Sequence, residues 1–436
     1  MENMDNGTTR QPNPRRKKRS PLQKFIKSYL PLLAVALAVI LFIIFAIGSV
    51  NRSNKKREEA RQESIALEES IAQERAELEA EAARLIAESE KYLASCEFDK
   101  AIAVLDSFSG NLYDFDNLVL AREAYEKGED TLVAWEDPST IPFLSFSKLV
   151  DGATAFSGNG GEDNRYYYIS TAEFNAILQQ LYEGGYMLVD LYDIFTTTQA
   201  EDGTTLIVTN DLRLPAGKKP IVLVHCQPDG YTNQLVSDGN GGFTSLVINE
   251  DGSTQAGSDF VPLLEDFIAS HPGFSYKGAR AVLAVTAHNG LFGYSLDQVN
   301  DIVSLVTALK DAGYTLASNT FGNVRYGKID VLEMQDDLTK WETGVTPLLG
   351  ETQVLAYARS SDISDGKEAY TSKKYEKLYM AGFRYYLGIC YNSTPWMNIQ
   401  DNTIRIGRIM VTGSNLKDSP KMFENLFDTT KVYGVQ

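Results

Sequence analysis

The residues that bear most directly on chemistry are two amides, Asn319 and Asn323, which stand four residues apart behind the apolar run 314–317. The run reads as a strand and the amides as part of the loop that follows it. An amide side chain offers a neutral carbonyl oxygen, which suits Ca²⁺ in a large oxygen shell but binds Zn²⁺ poorly. These residue types therefore do not favour a hydrolytic metal.

A second polar group follows the apolar run 220–224 and consists of His225, Cys226, Gln227 and Asp229. Asp229 brings a carboxylate to this group and is a candidate residue of a rearranged catalytic site. Because adjacent residues on a strand point to opposite faces, His225 and Cys226 cannot easily form a base–nucleophile pair.

The chain holds three histidines. His271 precedes Pro272 in a turn behind a helical pattern, which predicts a solvent-exposed side chain. His288 follows another strand pattern, and two interpretations stay open: it lines a pocket, or it satisfies loop hydrogen bonds. No trio of metal ligands emerges from these positions.

The elements that must position these residues alternate from Trp135 onward. Apolar runs typical of strands lie at 141–147, 186–190, 220–226, 279–287, 314–320, 353–359, 385–391 and 405–412. Helical patterns lie at 171–184, 259–270, 296–312, 329–342, 370–381 and 419–427. Repeated alternation of strand and helix predicts an α/β fold with a parallel sheet or a (β/α) barrel. In such barrels the chemistry lies at the C-terminal ends of the strands, where the polar groups above fall.

Two local features refine this prediction. Ser170 precedes the helical pattern 171–184 and Glu173 stands three residues later, which predicts a capping box. The segment 233–258 interrupts the alternation and predicts an inserted β-hairpin.

Several motifs over residues 138–430 resemble the polysaccharide deacetylases with a NodB homology domain (carbohydrate esterase family 4). The segment Ser318–Asn323 is similar to the family's Ser-His-x-x-x-His metal motif, with Asn319 and Asn323 in place of the two histidines. The segment Ile141–Ser147 is similar to the first strand of the family, and Ser147 stands where the family has His. The resemblance implies a distorted (β/α) barrel of NodB type.

The family's Asp-Asp-Gly-Tyr motif, which supplies a general base and a metal ligand, has two registers here. Counted from Pro220, the two Asp positions hold Cys226 and Gln227; counted back from Gly230-Tyr231, they hold Pro228 and Asp229. Neither register keeps both carboxylates. The resemblance therefore implies a degenerate member in which the divalent metal of the family, such as Zn²⁺, is not expected.

Aromatic residues are dense towards the end of the chain and could stack on sugar rings. The alternative is ordinary core packing, which aromatic strand residues usually serve. The candidate pocket or glycan-binding residues are His225, His288, Arg359, Tyr385, Tyr391 and Trp396.

The N-terminus predicts a membrane anchor. Residues 1–28 hold eight Lys or Arg against Glu2 and Asp5, a net charge of +6, whereas the whole chain carries −17. The uncharged run 29–50 is about 20 residues, long enough to cross a bilayer and longer than the core of a cleaved signal peptide. Positive residues in front of it place the N-terminus in the cytoplasm and the rest of the chain outside the cell. The acidic body argues against nucleic acid as a partner.

Residues 51–134 predict a helical stalk that ends in a helical hairpin. Ile71, Leu78 and Leu85 fall seven apart, which is typical of a short coiled coil and would allow a homodimer through the stalk; a solvated spacer helix is the alternative. The domains are thus a basic tail (1–28), a transmembrane signal-anchor helix (29–50), this stalk and hairpin (51–134), and a NodB-like domain (135–436).

These features predict a single-pass surface protein without catalytic activity that binds or scaffolds cell-wall polysaccharide or peptidoglycan. One alternative is an active carbohydrate deacetylase with a rearranged site built on Asp229, His225 or His288. The other is an assembly protein that acts through its stalk.

Overall fold

The computed structural model of the chain describes residues 21–150, 156, 161–226, 233–248, 253–364, 366–367, 369–400 and 402–435. Gln227 and Asp229, most of the basic tail, and part of the predicted hairpin lie outside the described residues. The chain divides into two compact units, Met1–Ala80 and Glu81–Gln436.

The first unit consists, in its described part, of the greater length of one helix. This helix, α1, runs from Pro21 to Ala94 and is apolar and exposed over its first half. It is long and apolar enough to cross a membrane, which is compatible with a single-pass anchor.

The other helices belong to the second unit. They are α2 (Phe98–Asp106), α3 (Asp116–Glu126), α4 (Gly161–Tyr167), α5 (Thr171–Glu183), α6 (Leu191–Ile194), α7 (Phe260–Ser270), α8 (Val299–Asp311), α9 (Val331–Gly344), α10 (Thr346–Leu349), α11 (Lys373–Met380) and α12 (Gly413–Asp418). Single turns of 3₁₀ helix lie at Leu112–Asp114, Glu129–Thr131, Pro138–Thr140, Pro272–Phe274, Ala358–Ser360, Pro420–Phe423 and Thr429–Lys431.

The strands also lie in the second unit. They are β1 (Val133–Ala134), β2 (Phe143–Phe146), β3 (Leu149–Val150), β4 (Ile169–Ser170), β5 (Tyr186–Leu188), β6 (Phe195–Gln199), β7 (Thr205–Thr209), β8 (Arg213–Leu214), β9 (Lys219–Cys226), β10 (Asn233–Ser237), β11 (Phe243–Ile248), β12 (Thr254–Gly257), β13 (Val282–Val285), β14 (Thr315–Ser318), β15 (Val354–Ala356), β16 (Tyr385–Cys390), β17 (Met397–Gln400) and β18 (Thr403–Val411).

Seven parallel strands close into a barrel. In chain order they are β2, β9, β13, β14, β15, β16 and β18; each pairs with the next, and β18 pairs with β2. The register places Ser145 beside Val224 and Met410, and Cys226 beside Ala284. The predicted α/β class and parallel barrel are therefore confirmed.

An eighth strand, β5, pairs outside the closed ring of seven. β5 pairs with Lys219–Ile221 at the start of β9, whereas β13 pairs with Val224–Cys226 at its end. β5 thus lies beside the N-terminal opening of the barrel. β17 pairs with the first residues of β18, Thr403–Ile406, in the antiparallel sense.

Alternating residues of the barrel strands pack into two apolar clusters, as expected for a closed sheet. Val222, Val224 and Cys226 belong to the cluster inside the barrel, whereas Ile221 and Leu223 belong to the cluster beneath the helices. The strands are apolar on both faces because both are buried.

Two of the predictions concern single elements. The capping box of α5 is confirmed, with Ser170 Oγ accepting from the Glu173 amide at 3.1 Å and the Glu173 carboxylate accepting from the Ser170 amide at 2.8 Å. The predicted hairpin within 233–258 is instead a three-stranded antiparallel sheet, β10–β11–β12. The third strand, β12, pairs with β11 from Ser245 to Ile248.

The helical hairpin packs within the second unit. α2 and α3 lie against each other, and the Lys277 amide donates to the Ser95 carbonyl at 2.6 Å while its ammonium reaches Glu129 at 2.7 Å. The predicted domain boundary between residues 134 and 135 stays a prediction, as does the coiled coil.

Candidate functional site

The C-terminal end of the barrel interior is occupied by a buried cation. Arg408 lies in the middle of β18 and its side chain is 1% exposed. Its Nη1 lies 2.7 Å from Cys226 Sγ and donates to Ser145 Oγ at 3.1 Å. Its Nε donates to the Leu387 carbonyl at 3.2 Å and its Nη2 to the Tyr357 carbonyl at 2.5 Å. The Arg408 guanidinium thus joins β18 to β2, β9, β16 and the residue that follows β15.

Asn319 supports the same end of the barrel. Its backbone amide donates to the Val285 carbonyl at 2.7 Å, and its side-chain Nδ2 donates to the Ala356 carbonyl at 2.7 Å. The residue therefore joins β14 to both neighbouring strands. It reaches a carbonyl adjacent to the one that Arg408 uses.

Asn323, the second amide, lies in a loop with left-handed backbone. It is 3% exposed with φ of 54°, and neither side-chain atom has a hydrogen-bond partner among the described residues. The loop itself is held by the Asp337 carboxylate of α9, which accepts from the amides of Phe321 at 3.0 Å and Gly322 at 2.8 Å. The loop geometry is thus fixed by a carboxylate that is itself 6% exposed.

These residues do not fit a catalytic divalent metal. Arg408 adds a positive charge where the motifs converge, and Asn319 points an N–H donor, not an oxygen, at its partner. Within the described ranges no group of three or more His, Cys, Asp or Glu could hold a metal ion. The donor set at the strand ends therefore gives no support to a reaction step through a metal.

The histidine and cysteine candidates are separated by the barrel wall. His225 is fully buried outside the barrel, where its ring stacks on Phe260 with centroids 4.5 Å apart and planes 6° apart. Burial lowers the pKa of His225 to about 3. Cys226 points inside towards Arg408. The geometry agrees with the expectation that the two side chains do not meet.

The remaining catalytic candidates are dispersed. Ser147 is half-buried just after β2, and His288 is exposed behind β13. His271 is half-buried and not exposed as expected, because its ring stacks on Phe267 with centroids 4.3 Å apart. Gln227 and Asp229 lie outside the described residues.

A cavity of about 510 Å³ lies beside the barrel mouth and brings three predicted residues together. Arg359, Tyr391 and Trp396 all line it. Its walls come from the loops after β14 and β15 and from the segment that follows β16. A volume of this size is ordinary for a ligand pocket.

Trp396 forms a fixed wall of this cavity. Its ring lies over Gly407 of β18, where a Cβ atom would come 2.1 Å from Trp396 Nε1. The indole N–H donates to the Ile389 carbonyl at 3.3 Å, and the Gly407 amide donates to the Trp396 carbonyl at 2.9 Å. The residue is half-buried and lines the cavity, so part of its side chain stays open.

A buried ion pair lies under the cavity. Arg405, 3% exposed, donates from Nη2 to Asp362 Oδ2 at 3.0 Å and to the Gly366 carbonyl at 2.7 Å. Its guanidinium lies 3.9 Å from the ring centroid of Tyr370, whose hydroxyl donates to Asp362 Oδ1 at 2.6 Å. This pair fixes the loop that carries Arg359.

Tyr385 does not join the cavity. It is 1% exposed at the start of β16 and packs edge-on against Tyr192 with centroids 5.6 Å apart. The cavity lies at the opposite end of that strand, next to Tyr391. Tyr385 therefore serves packing, the alternative that the sequence left open.

Sequence reasoning did not single out Arg405 or Arg408. The signal was present, because both interrupt the apolar strand Thr403–Val411. A charged residue in a strand buried on both faces must find partners inside the fold.

No family model matches the chain, and no curated protein matches it significantly. Among solved structures, the chain is similar to a Streptococcus pyogenes deacetylase, PplD, in complex with acetate. The identity is 11%, the match covers 66% of this chain and 97% of that chain, and the TM-score is 0.35. A likeness at this level does not assign the neighbour's activity to this chain.

Proposed function

We propose that the protein is a membrane-anchored glycan-binding protein that does not hydrolyse its ligand. The observation that carries the proposal is the Trp396 platform in a cavity of about 510 Å³ with Tyr391 and Arg359 beside it. An aromatic face packs against the C–H face of a sugar ring, and a guanidinium supplies hydrogen bonds to its oxygens. The extracytoplasmic position and a cell-wall ligand are part of the proposal.

The absence of hydrolysis is proposed from the interior of the barrel. Hydrolysis of an acetyl group needs an activated water and a group that takes its proton. At the strand ends Arg408 contacts a hydroxyl, a thiol and two carbonyls, none of which is a carboxylate base. The ligand in the Trp396 cavity would be held, not cut.

Binding should depend on the Trp396 ring. With the full chain in detergent and an N-acetylglucosamine hexamer as probe, we expect Trp396→Ala to weaken binding about tenfold, a loss of about 1.4 kcal/mol. Trp135→Ala is the matched control, since Trp135 is also half-buried and lies away from the cavity. Isothermal titration calorimetry measures both variants.

Added EDTA should leave this binding unchanged and no acetate should form. Release of acetate from the hexamer that stops with EDTA would contradict the proposal and favour the deacetylase alternative. Equal binding by wild type and Trp396→Ala would also contradict it.

A further inference from the structure

The cavity beside Trp396 carries a cluster of cations on an acidic protein. Four of its lining residues are basic, namely Arg325, Lys328, Arg359 and Lys367, and all four are exposed. Within the described part of the chain, none of the four forms an ion pair with a carboxylate. The chain as a whole carries a net charge of −17. Among the described residues, four cations thus share one concavity of an acidic chain.

The one carboxylate among the described lining residues does not cancel the charge of these cations. Asp362 is bound by the Arg405 guanidinium at 3.0 Å and by the Tyr370 hydroxyl at 2.6 Å. Its negative charge is matched by Arg405, which is not among the residues that line the cavity. The described lining of the cavity therefore keeps a net positive charge.

The loop that carries Arg359 has a strained conformation. Arg359 and Ser360 both adopt left-handed backbone, with φ of 48° and 57°. Non-glycine residues adopt this region of backbone only at a cost in conformational energy. The strain is maintained because the loop contacts Gly327 closely: a Cβ atom there would lie 2.1 Å from the Asp362 carbonyl oxygen. The chain thus holds an arginine at the rim in a conformation that local preference disfavours.

We propose that this cavity binds an anionic glycan, a saccharide segment that bears carboxylate or phosphate groups. The inference rests on the proposed function and names its ligand class. Trp396 would pack on a sugar ring, while Arg359 and Arg325 donate to the oxyanion through planar forks. Lys367, whose Nζ lies 5.7 Å from the Trp396 ring centroid, and Lys328 add charge around the stacked ring.

The test compares three probes on the full chain in detergent: a neutral N-acetylglucosamine hexamer, a galacturonic acid hexamer and a phosphorylated mannose hexamer. We expect at least one anionic probe to bind about tenfold tighter than the neutral hexamer at about 50 mM NaCl. The advantage should shrink as NaCl rises to about 300 mM, because salt screens exposed charges. The tighter anionic probe identifies carboxylate or phosphate as the preferred oxyanion.

Two double variants with the same change in net charge distinguish the effect of the cavity residues from the effect of the protein's overall charge. Arg359→Gln with Lys367→Gln should lower the affinity for the anionic probes about tenfold. It should lower the affinity for the neutral hexamer by less, because the neutral sugar loses hydrogen bonds to Arg359 but no pairing of charges. Lys127→Gln with Lys417→Gln alters two exposed lysines outside the cavity and should change neither affinity.

Equal affinity for neutral and anionic probes would overturn the anionic specificity while the proposed glycan binding stands. Failure of all three probes would overturn both. Capture by phosphatidylglycerol vesicles without binding of any saccharide would assign the cations to a lipid surface and overturn the inference.

Discussion

At the scale of single residues, the fold depends on buried groups that the surroundings hold in one charge state. Arg408 is a buried guanidinium with no carboxylate among its described partners, and it links five strands, its own included, by contacts of 2.5 to 3.2 Å. Removing one partner of a buried charge leaves that charge without compensation, which is more costly than losing a surface contact. The proposal of a barrel that does not hydrolyse its ligand depends on this residue.

His225 gives a residue-scale prediction on pH. Its pKa is about 3 in the folded protein against an ordinary value of 6.5, because burial penalises the charged ring. Between pH 6.5 and 3 the His225 ring is therefore protonated in the unfolded chain and neutral in the folded chain. The contribution of His225 to the free energy of unfolding is fully present above pH 6.5 and falls progressively as the pH drops towards 3. Between pH 7.5 and pH 4.5 the loss from this residue is about 2.5 kcal/mol.

We expect His225→Phe to remove this loss while keeping the ring stacked on Phe260. Urea unfolding of both proteins at pH 7.5 and pH 4.5 gives the difference. Burial also raises the pKa of Asp259 to about 6, which acts in the opposite sense, but it acts in both proteins and cancels. The exposed His288→Gln serves as control. An identical pH dependence in wild type and His225→Phe would contradict the prediction.

What could be predicted at this scale was the face on which a side chain lies. Strand alternation alone is enough to separate His225 from Cys226. The exposure of Tyr385 and of Tyr391 could not be predicted. It depends on which end of β16 lies next to the cavity, and this is set by the tertiary fold.

At the scale of elements, the loop between β14 and α9 depends on one helix carboxylate. Asp337 accepts from two loop amides and from the Tyr326 hydroxyl at 2.8 Å. An amide in its place has one acceptor oxygen, so one buried N–H would lose its partner. We expect Asp337→Asn to reduce the free energy of unfolding by about 2 kcal/mol.

The neighbouring residue of the same helix supplies the control for this prediction. Asp336 is 69% exposed and pairs with Lys340 at 2.6 Å. A surface pair of this kind contributes less than about 1 kcal/mol, so Asp336→Asn should be nearly neutral. Thermal or urea unfolding compares the two variants. Equal destabilisation by both substitutions would show that the loop does not depend on Asp337.

Element types were predictable where local pattern and tertiary burial agree. All eight predicted strands exist, since each is an apolar run buried on both faces. The helix predicted at 419–427 was wrong. α12 lies earlier, at Gly413–Asp418, because Thr412 caps its start and Pro420 follows its end. The buried Phe423 and Phe427 instead belong to a short turn and a coil that cover the core.

At the scale of the whole molecule, charge and hydropathy are distributed in blocks. A head of +6 precedes the uncharged run 29–50, and the remainder is acidic. The charge and hydropathy of such a block depend only on consecutive residues, so the sequence alone is enough to predict an anchor. The cavity, in contrast, joins loops that are more than sixty residues apart, such as those of Arg325 and Trp396. Its charge could not be predicted, because it follows from tertiary proximity.

The proposed topology gives the last prediction. Cys96, Cys226 and Cys390 are buried, so a membrane-impermeant maleimide should not label the wild type. We expect Ser53→Cys, exposed on α1, to be labelled on intact cells. Thr8→Cys, in the basic tail, should be labelled only after permeabilisation. Mass shift on a gel measures both, and labelling of Thr8→Cys in intact cells would reverse the orientation.

Because Trp396 packs directly on Gly407, a substitution of Gly407 would change the shape of the cavity. Gly407 lies within a strand, has no side chain to contact a ligand and carries no charge. Yet a single added methyl group would occupy the space of the indole nitrogen, 2.1 Å away, and force the ring to move. Under the proposed function, substitutions of Gly407 would therefore weaken ligand binding although Gly407 itself contacts no ligand. The glycine would matter for binding as much as the aromatic residue that packs on it.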